Sequence, residues 1–241
     1  FETVEAVTAR VEWNAMPAQT SLAWQPKRGD TELYLDGVAT GLQVGDVILI
    51  VGQERVNLSG SENWDIRVLS AVEADTGNGR TRIAWLEGLG HVMPIIEPAA
   101  EVPKVYAFRQ RAALFGYNAP DPRLMVDQEG SSFGDLVEGS GINRKWKNYA
   151  IDGVNIDLDA AYPKIVADSW FALVSNEAGI GSPSLPGYVE LYRADSVASI
   201  SRTAFGLSGK ITRIKPDTTE HLDATRYTIP QTLVLAQSEQ L

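Results

Sequence analysis

Apolar residues in this chain fall in short runs bounded by glycine, proline and polar turns, and no run exceeds five residues. In TELYLDG, Leu33 and Leu35 share one face of a period-2 pattern, Tyr34 takes the other, and Asp36-Gly37 supplies a turn. The run Val47 to Val51 (VILIV), set between Gly45 and Gly52, predicts a short strand buried on both faces. WDIRVLSAV alternates Trp64, Ile66 and Val68 against Asp65, Arg67 and Leu69, and the polar loop DTGNG before RTRIAWL predicts a hairpin. Phe1 to Gln25 predicts an extended lead-in, and QTLVLAQSE predicts a last strand near the C-terminus. A helical period of 3.6 is nearly absent, so the fold class is all-β.

The stretch Val105 to Pro122 (VYAFRQRAALFGYNAPDP) divides the chain, and Met125 to Lys147, rich in turn residues, predicts a long surface loop. Beyond it IDLDAAYPKIVADSWFALV repeats the pattern of LYLDGVATGLQVGDVILIV: Asp36 precedes Val47 by eleven positions, as Asp159 precedes Trp170. WDIRVLSAV likewise falls on VELYRADSV, with Ile66 on Leu191, Ala71 on Ser196 and Val72 on Val197. TRIAW and KITRI end the two copies in a register that the pattern leaves open. The expected architecture is two tandem, internally duplicated small β-barrel or sandwich domains joined by a mostly irregular connector. Its boundaries are 1–104 for the first barrel, 105–150 for the connector and long loop, and 151–241 for the second barrel. Leu49 and Leu173 are expected at equivalent core positions.

The 241 residues, 44% apolar and 22% charged, suffice for two buried cores. A net charge of −10 opposes a nucleic-acid backbone as partner, and the short apolar runs supply no membrane-spanning helix. No cysteine is present, which excludes disulfides and thiol chemistry.

Candidate chemistry is sparse. His91 and His221, the two histidines, fall in different halves and read as loop residues. DGVNIDLD sets Asn155, Asp157 and Asp159 at alternate positions, yet a calcium loop begun at Asn155 has Ala160 where glycine belongs and Val166 where a bidentate Glu belongs. Asp157 and Asp159 are therefore expected on the wet face of a strand and its turn. No G-x-S-x-G elbow is present, and GIG at Gly179 to Gly181 lacks the pattern of a phosphate cradle. No catalytic residue, cofactor or metal ligand is assigned. Trp64, Trp85 and Trp170 lie in strand patterns and suit a core, whereas Trp13, Trp24 and Trp146 lie in irregular segments and are interface candidates. Arg109 and Arg111, in the basic centre of the connector, complete that candidate set, with local carboxylates as their expected partners.

YAFRQRAALFGYNAPDP, followed by WKNYAIDG, IDLDAAYPKIV and SWFALV, resembles a family of large baseplate assembly proteins of contractile phage tails and phage-like injection particles. TVEAVTARVEWN, LYLDGVATGL and TLVLAQSEQL extend the resemblance over nearly the whole chain. It implies a non-enzymatic structural module whose partners are other baseplate subunits, assembled in the bacterial cytoplasm within such a particle. The alternative it leaves is a glycan- or receptor-binding module, with a wall-degrading enzyme behind both. Family members are much longer, and a chain opening at Phe1 without a leader reads as a piece of one.

Overall fold

The computed structural model describes residues 24–92, 94–125, 133–175, 185 and 188–241. They are mostly β-structure in antiparallel sheets. The strands are β1 (Glu32–Asp36), β2 (Val47–Val51), β3 (Trp64–Val68), β4 (Ala71–Asp75), β5 (Arg80–Ala84), β6 (Lys104–Ala113), β7 (Val137–Glu138), β8 (Lys145–Trp146), β9 (Ile156–Asp157), β10 (Trp170–Ser175), β11 (Val189–Ala204), β12 (Leu207–Pro216) and β13 (Thr232–Gln240). Eight of them form one sheet in the order β3-β2-β6-β13-β10-β11-β12-β9, β1-β5-β4 form a second, and β7-β8 pair alone. The sheets do not close into a barrel.

The start of the connector, expected to be mostly irregular over 105–150, is a ten-residue strand at the middle of the large sheet. Its two charges misled the pattern. Arg109 and Arg111 alternate with buried Phe108 and Ala112, and both guanidiniums reach sideways to backbone carbonyls: Arg109 donates to Thr40 and Gly41, and Arg111 to Gly45. An interior strand thereby carries charge without burying it unpaired.

The pairings of the two halves coincide at constant offsets. Val47↔Val68 and Leu49↔Ile66 correspond to Trp170↔Arg193 and Ala172↔Leu191, so β2 maps to β10 by 123 residues (47 to 170) and β3 to β11 by 125 (68 to 193). Val72↔Ile83 corresponds to Val197↔Ile214, which sets the register the pattern left open: Thr81, Arg82 and Ile83 fall on Thr212, Arg213 and Ile214. Leu33↔Ile83 corresponds to Ile156↔Ile214, and Tyr34↔Arg82 to Asp157↔Arg213. Loop bonds follow the same offsets. Gly45 N donates to Leu69 O and Leu69 N to Asp46 O, as Asp168 N does to Ala194 O and Ala194 N to Ser169 O. Gly45 and Asp168 both have left-handed backbone, φ 92° and 64°.

Leu49↔Tyr106 and Ala172↔Leu235 set a further offset, 129 (106 to 235), between β6 and β13. These two strands also pair with each other, and the offset exchanges their pairs: Tyr106↔Gln240 with Arg111↔Leu235, and Ala107↔Glu239 with Gln110↔Ala236. The seam therefore has the pattern of a local two-fold axis. One asymmetry remains. The second half runs β11 continuously through a bulge between Ala194 and Ser196, where the first half breaks at Leu69 and Ser70 into β3 and β4.

Three apolar clusters follow from this topology. Ile48, Ile50, Leu33, Leu35 and Ile83 build one core, and Phe171, Leu173, Ile156, Leu158 and Ile214 build another. The opposite faces of the same strands, with Val47, Leu49 and Val51 against Trp170, Ala172 and Val174, form a third cluster between the halves. Leu49 and Leu173 are both fully buried, yet on opposite faces: the counterpart of Leu173 is Ile50, and that of Leu49 is Ala172. A one-residue slip in a strand changes the face.

Candidate functional site

A polar cluster sits where the first half meets the second. Its first element is a five-residue helix, α1 (Gln53–Asn57), which turns off β2 at Gly52. A Cβ there would lie 2.8 Å from the Glu101 carbonyl, so only glycine lets the backbone pass. Glu54 Oε1 accepts from the amides of Ala100 and Glu101 at 2.7 and 2.8 Å, and this fixes the helix.

Arg55 then points into the second half with only 1% of its side chain exposed. Its Nη1 donates to Asp217 Oδ2 at 2.7 Å, and its Nη2 donates to the Leu191 carbonyl at 2.8 Å and to Asp217 Oδ1 at 3.3 Å. The guanidinium lies 5.6 Å from the ring centre of Trp170. Asp217 Oδ1 also accepts from Arg193 N at 2.9 Å, so one carboxylate ties α1 to the backbone of β11.

Past Asp217 the chain places His221 in a left-handed turn, φ 59°, and Tyr192 OH donates to the neighbouring Glu220 carbonyl. His221 Nδ1 lies 2.9 Å from Glu190 Oε2 and 3.8 Å from Glu62 Oε1, and Tyr188 OH donates to the same Glu190 oxygen at 2.5 Å. Glu62 belongs to the first half, Glu190 and His221 to the second. The bond to Glu190 raises the His221 pKa above its ordinary value, more than burial lowers it. Burial, then the Glu190 charge, raises that of Glu62. Burial and the bond to Glu190 likewise hold the Tyr188 phenol protonated. The imidazole thus stands between a carboxylate of each half, bonded to Glu190 and 3.8 Å from Glu62.

One histidine and two carboxylates within 4.8 Å of one another are also a donor set of the kind divalent cations use. Here the Glu190 oxygen already receives the tyrosine and the imidazole, and both are satisfied without an ion. No serine, threonine or cysteine is bonded to either histidine among the described residues.

The residues singled out from sequence lie elsewhere. Trp146 is 4% exposed, donates Nε1–H to the Pro120 carbonyl at 2.8 Å, and packs edge-on to Phe205. It belongs to the second core. An open groove of about 650 Å³ runs over it, rimmed by Arg123, Asn143, Lys145 and Asn148. Trp24 packs half-buried against the first core, and Trp13 lies outside the described residues. Arg109 also meets a carboxylate, Glu239 at 2.5 Å, while Arg111 meets only the Gly45 carbonyl among the described residues. Asp157 is buried rather than wet, held by Arg213 at 2.6 and 2.7 Å and by Arg202. His91 makes a bridge with Ile96.

Arg55, Glu62, Glu190 and Asp217 were absent from the sequence-derived set, because their partners lie 31 to 162 residues away. The available signal was an arginine in a short segment between two apolar strands. No protein-family model matches the chain, and comparison with curated proteins finds no match.

Proposed function

We propose that this chain is a non-enzymatic structural module, built of two copies of one small antiparallel β unit, that serves in the assembly of a baseplate of the contractile-particle kind. The observation that carries the reading is the seam of β6 and β13. Two equivalent strands pair antiparallel, and the outer faces of the two units close over a shared apolar cluster. Such a joint fixes the orientation of two lobes, which is the mechanical requirement of a spacer or wedge held between other subunits.

The polar groups at the junction act in the same sense. Arg55 and Asp217 cross between lobes, and Glu62 of the first lobe lies 3.8 Å from His221 of the second. Those groups engage one another rather than converge on an open cavity. The resemblance of YAFRQRAALFGYNAPDP, IDLDAAYPKIV and TLVLAQSEQL to baseplate assembly proteins supplies the kind of assembly. Acidic net charge suits contact with basic surfaces of neighbouring subunits.

Electron microscopy of the native particle tests the reading. With the chain labelled at its C-terminus, the label is expected at the baseplate end of a sheathed tail, and the purified chain is expected to cleave neither peptidoglycan nor glycan. A particle lacking the label at that end, or a hydrolytic activity abolished by one carboxylate substitution, overturns it.

A further inference from the structure

Two groups at the junction of the lobes are left over by its hydrogen bonds. Glu62 Oε1 stands 3.8 Å from His221 Nδ1, too far for a hydrogen bond, and the Glu62 carboxylate has no other hydrogen-bond partner among the described residues. Tyr227 is wholly buried, and its hydroxyl also has no partner among the described residues. Its ring centre is 6.2 Å from that of Tyr188. Burial first, and then the charges of Tyr192, Glu190 and Tyr188, raise its pKa, so the hydroxyl faces the Glu190 side of the cluster. A buried hydroxyl left in this way is costly unless something at the site meets it.

Charge is also out of balance there. Glu220 Oε2 lies 2.5 Å from where a Cβ on Gly60 would stand, so a third carboxylate reaches the loop that carries Glu62. Three carboxylates thus surround one imidazole, and the nearby cations are engaged, Arg55 with Asp217 and Arg226 over the Tyr188 ring at 3.9 Å. The ligand atoms are held in place on both sides. Ser61 N donates to the Leu58 carbonyl and Asn63 Nδ2 to the Glu97 carbonyl, on either side of Glu62, while Glu190 sits on β11 opposite Leu173 and Tyr192 OH steadies the turn that carries His221. Tetrahedral zinc keeps nitrogen and oxygen ligands about 3.4 Å apart at bonds of about 2.1 Å. The observed 2.9 Å from His221 to Glu190 and 3.8 Å from His221 to Glu62 lie on either side of that spacing. The His221 and Glu62 side chains are 51% and 40% exposed, which gives an ion a way in and leaves a fourth position for water.

We infer that Glu62, Glu190 and His221 form a divalent-cation site of the zinc class that bridges the two lobes, with Tyr188 and Tyr227 as positioning residues beside Glu190. The ion binds the neutral imidazole through Nδ1, and the proton it displaces leaves to solvent. Tyr188 keeps its bond to Glu190 Oε2, and Tyr227 gains in the shell of the ion the partner it lacks. An imidazole nitrogen beside two carboxylates suits zinc better than calcium or magnesium. The site rests on the contact between the halves and not on the place of the protein in a particle.

The test takes the whole chain, stripped with a chelator, and titrates it with zinc by calorimetry and with cobalt(II) by visible absorption. One zinc per chain is expected, with a melting temperature that rises with zinc concentration, and cobalt should give the strong visible bands of a four-coordinate site. Glu62→Gln and His221→Gln, at half-exposed positions, should keep the circular dichroism of the wild type and each weaken zinc binding about ten-fold or more. Tyr227→Phe should leave the stripped chain as stable as before and weaken zinc binding about ten-fold, a change that a packing role alone would not produce. Calcium should leave the melting temperature where it is. Absence of binding at millimolar zinc, wild-type zinc affinity in any of the three variants, or an equal response to calcium overturns the inference.

Discussion

Replacing Asp217 by Asn should cost more stability than replacing Arg55 by Met, although Arg55 is the more deeply buried partner. Asp217→Asn leaves a guanidinium, 1% exposed, with only the Leu191 carbonyl and an uncharged amide oxygen to receive it. Breaking a buried pair in this way costs about 3 to 5 kcal/mol, and the 21% exposure of Asp217 places the loss near the lower figure. Arg55→Met leaves a carboxylate that reaches water and still accepts from Arg193 N, while the thioether fills the space over Trp170. The remaining loss is the donor to Leu191, about 1 to 2 kcal/mol. The double variant should match Arg55→Met alone, because the stranded charge is gone. Urea unfolding followed by far-UV circular dichroism and by tryptophan fluorescence reads all three. An Arg55→Met loss equal to or above that of Asp217→Asn would refute the assignment of the pair as a buried inter-lobe clamp.

Two further outcomes follow from the same geometry. Ile50→Ala and Leu173→Ala, counterparts in separate cores, should each cost about 2 to 5 kcal/mol in urea unfolding and should add in combination; a negligible loss at either, or strong coupling between them, contradicts the placement. Stability should fall as pH rises through neutrality. The raised His221 pKa supplies stability that is complete below about pH 6.5 and is lost as pH passes the raised value, and the raised Glu62 pKa acts in the same sense. Glu190, Glu220, Tyr188, Arg226 and Arg55 surround the imidazole and Glu62, so the comparison that isolates the imidazole is wild type against His221→Gln at pH 6 and pH 8. An unchanged difference between the two proteins at the two pH values would remove the His221–Glu190 bond from the account.

Much of the strand content was legible because it lies in local pattern. VILIV, WFALV and TLVLA are strands buried on both faces or nearly so, and RTRIA with DTGNG forms the expected hairpin. KVYAFRQRAA was harder, because an alternation that includes two arginines looks like a wet connector. The loop carbonyls of Thr40, Gly41 and Gly45 and the Glu239 carboxylate, brought in by tertiary structure, receive those charges and let the segment pair between β2 and β13. Asp65 and Arg67 illustrate the same limit. Both are buried, joined at 2.7 Å, with Arg67 also donating to the carbonyls of Glu87 and Gly88 from a following loop, and burial raises the Asp65 pKa. The junction cluster was out of reach of pattern altogether. His221 reads as a loop residue, which it is, and its meaning comes from Glu190 and Glu62 on elements far away in sequence.

The seam also sets the order in which the molecule can be made. Pairing Ala113 with Leu233, or Tyr106 with Gln240, closes loops of well over a hundred residues, so β6 must wait for β13. During synthesis the first half emerges complete except that β6 has β2 on one side and nothing on the other. A long unpaired strand edge of that kind recruits other chains as readily as its own partner. The nine-residue β13 is therefore the strand that ends the exposure, and slowing its arrival, by a truncation within it or by a proline at Ala236, would show first as aggregation of nascent chains.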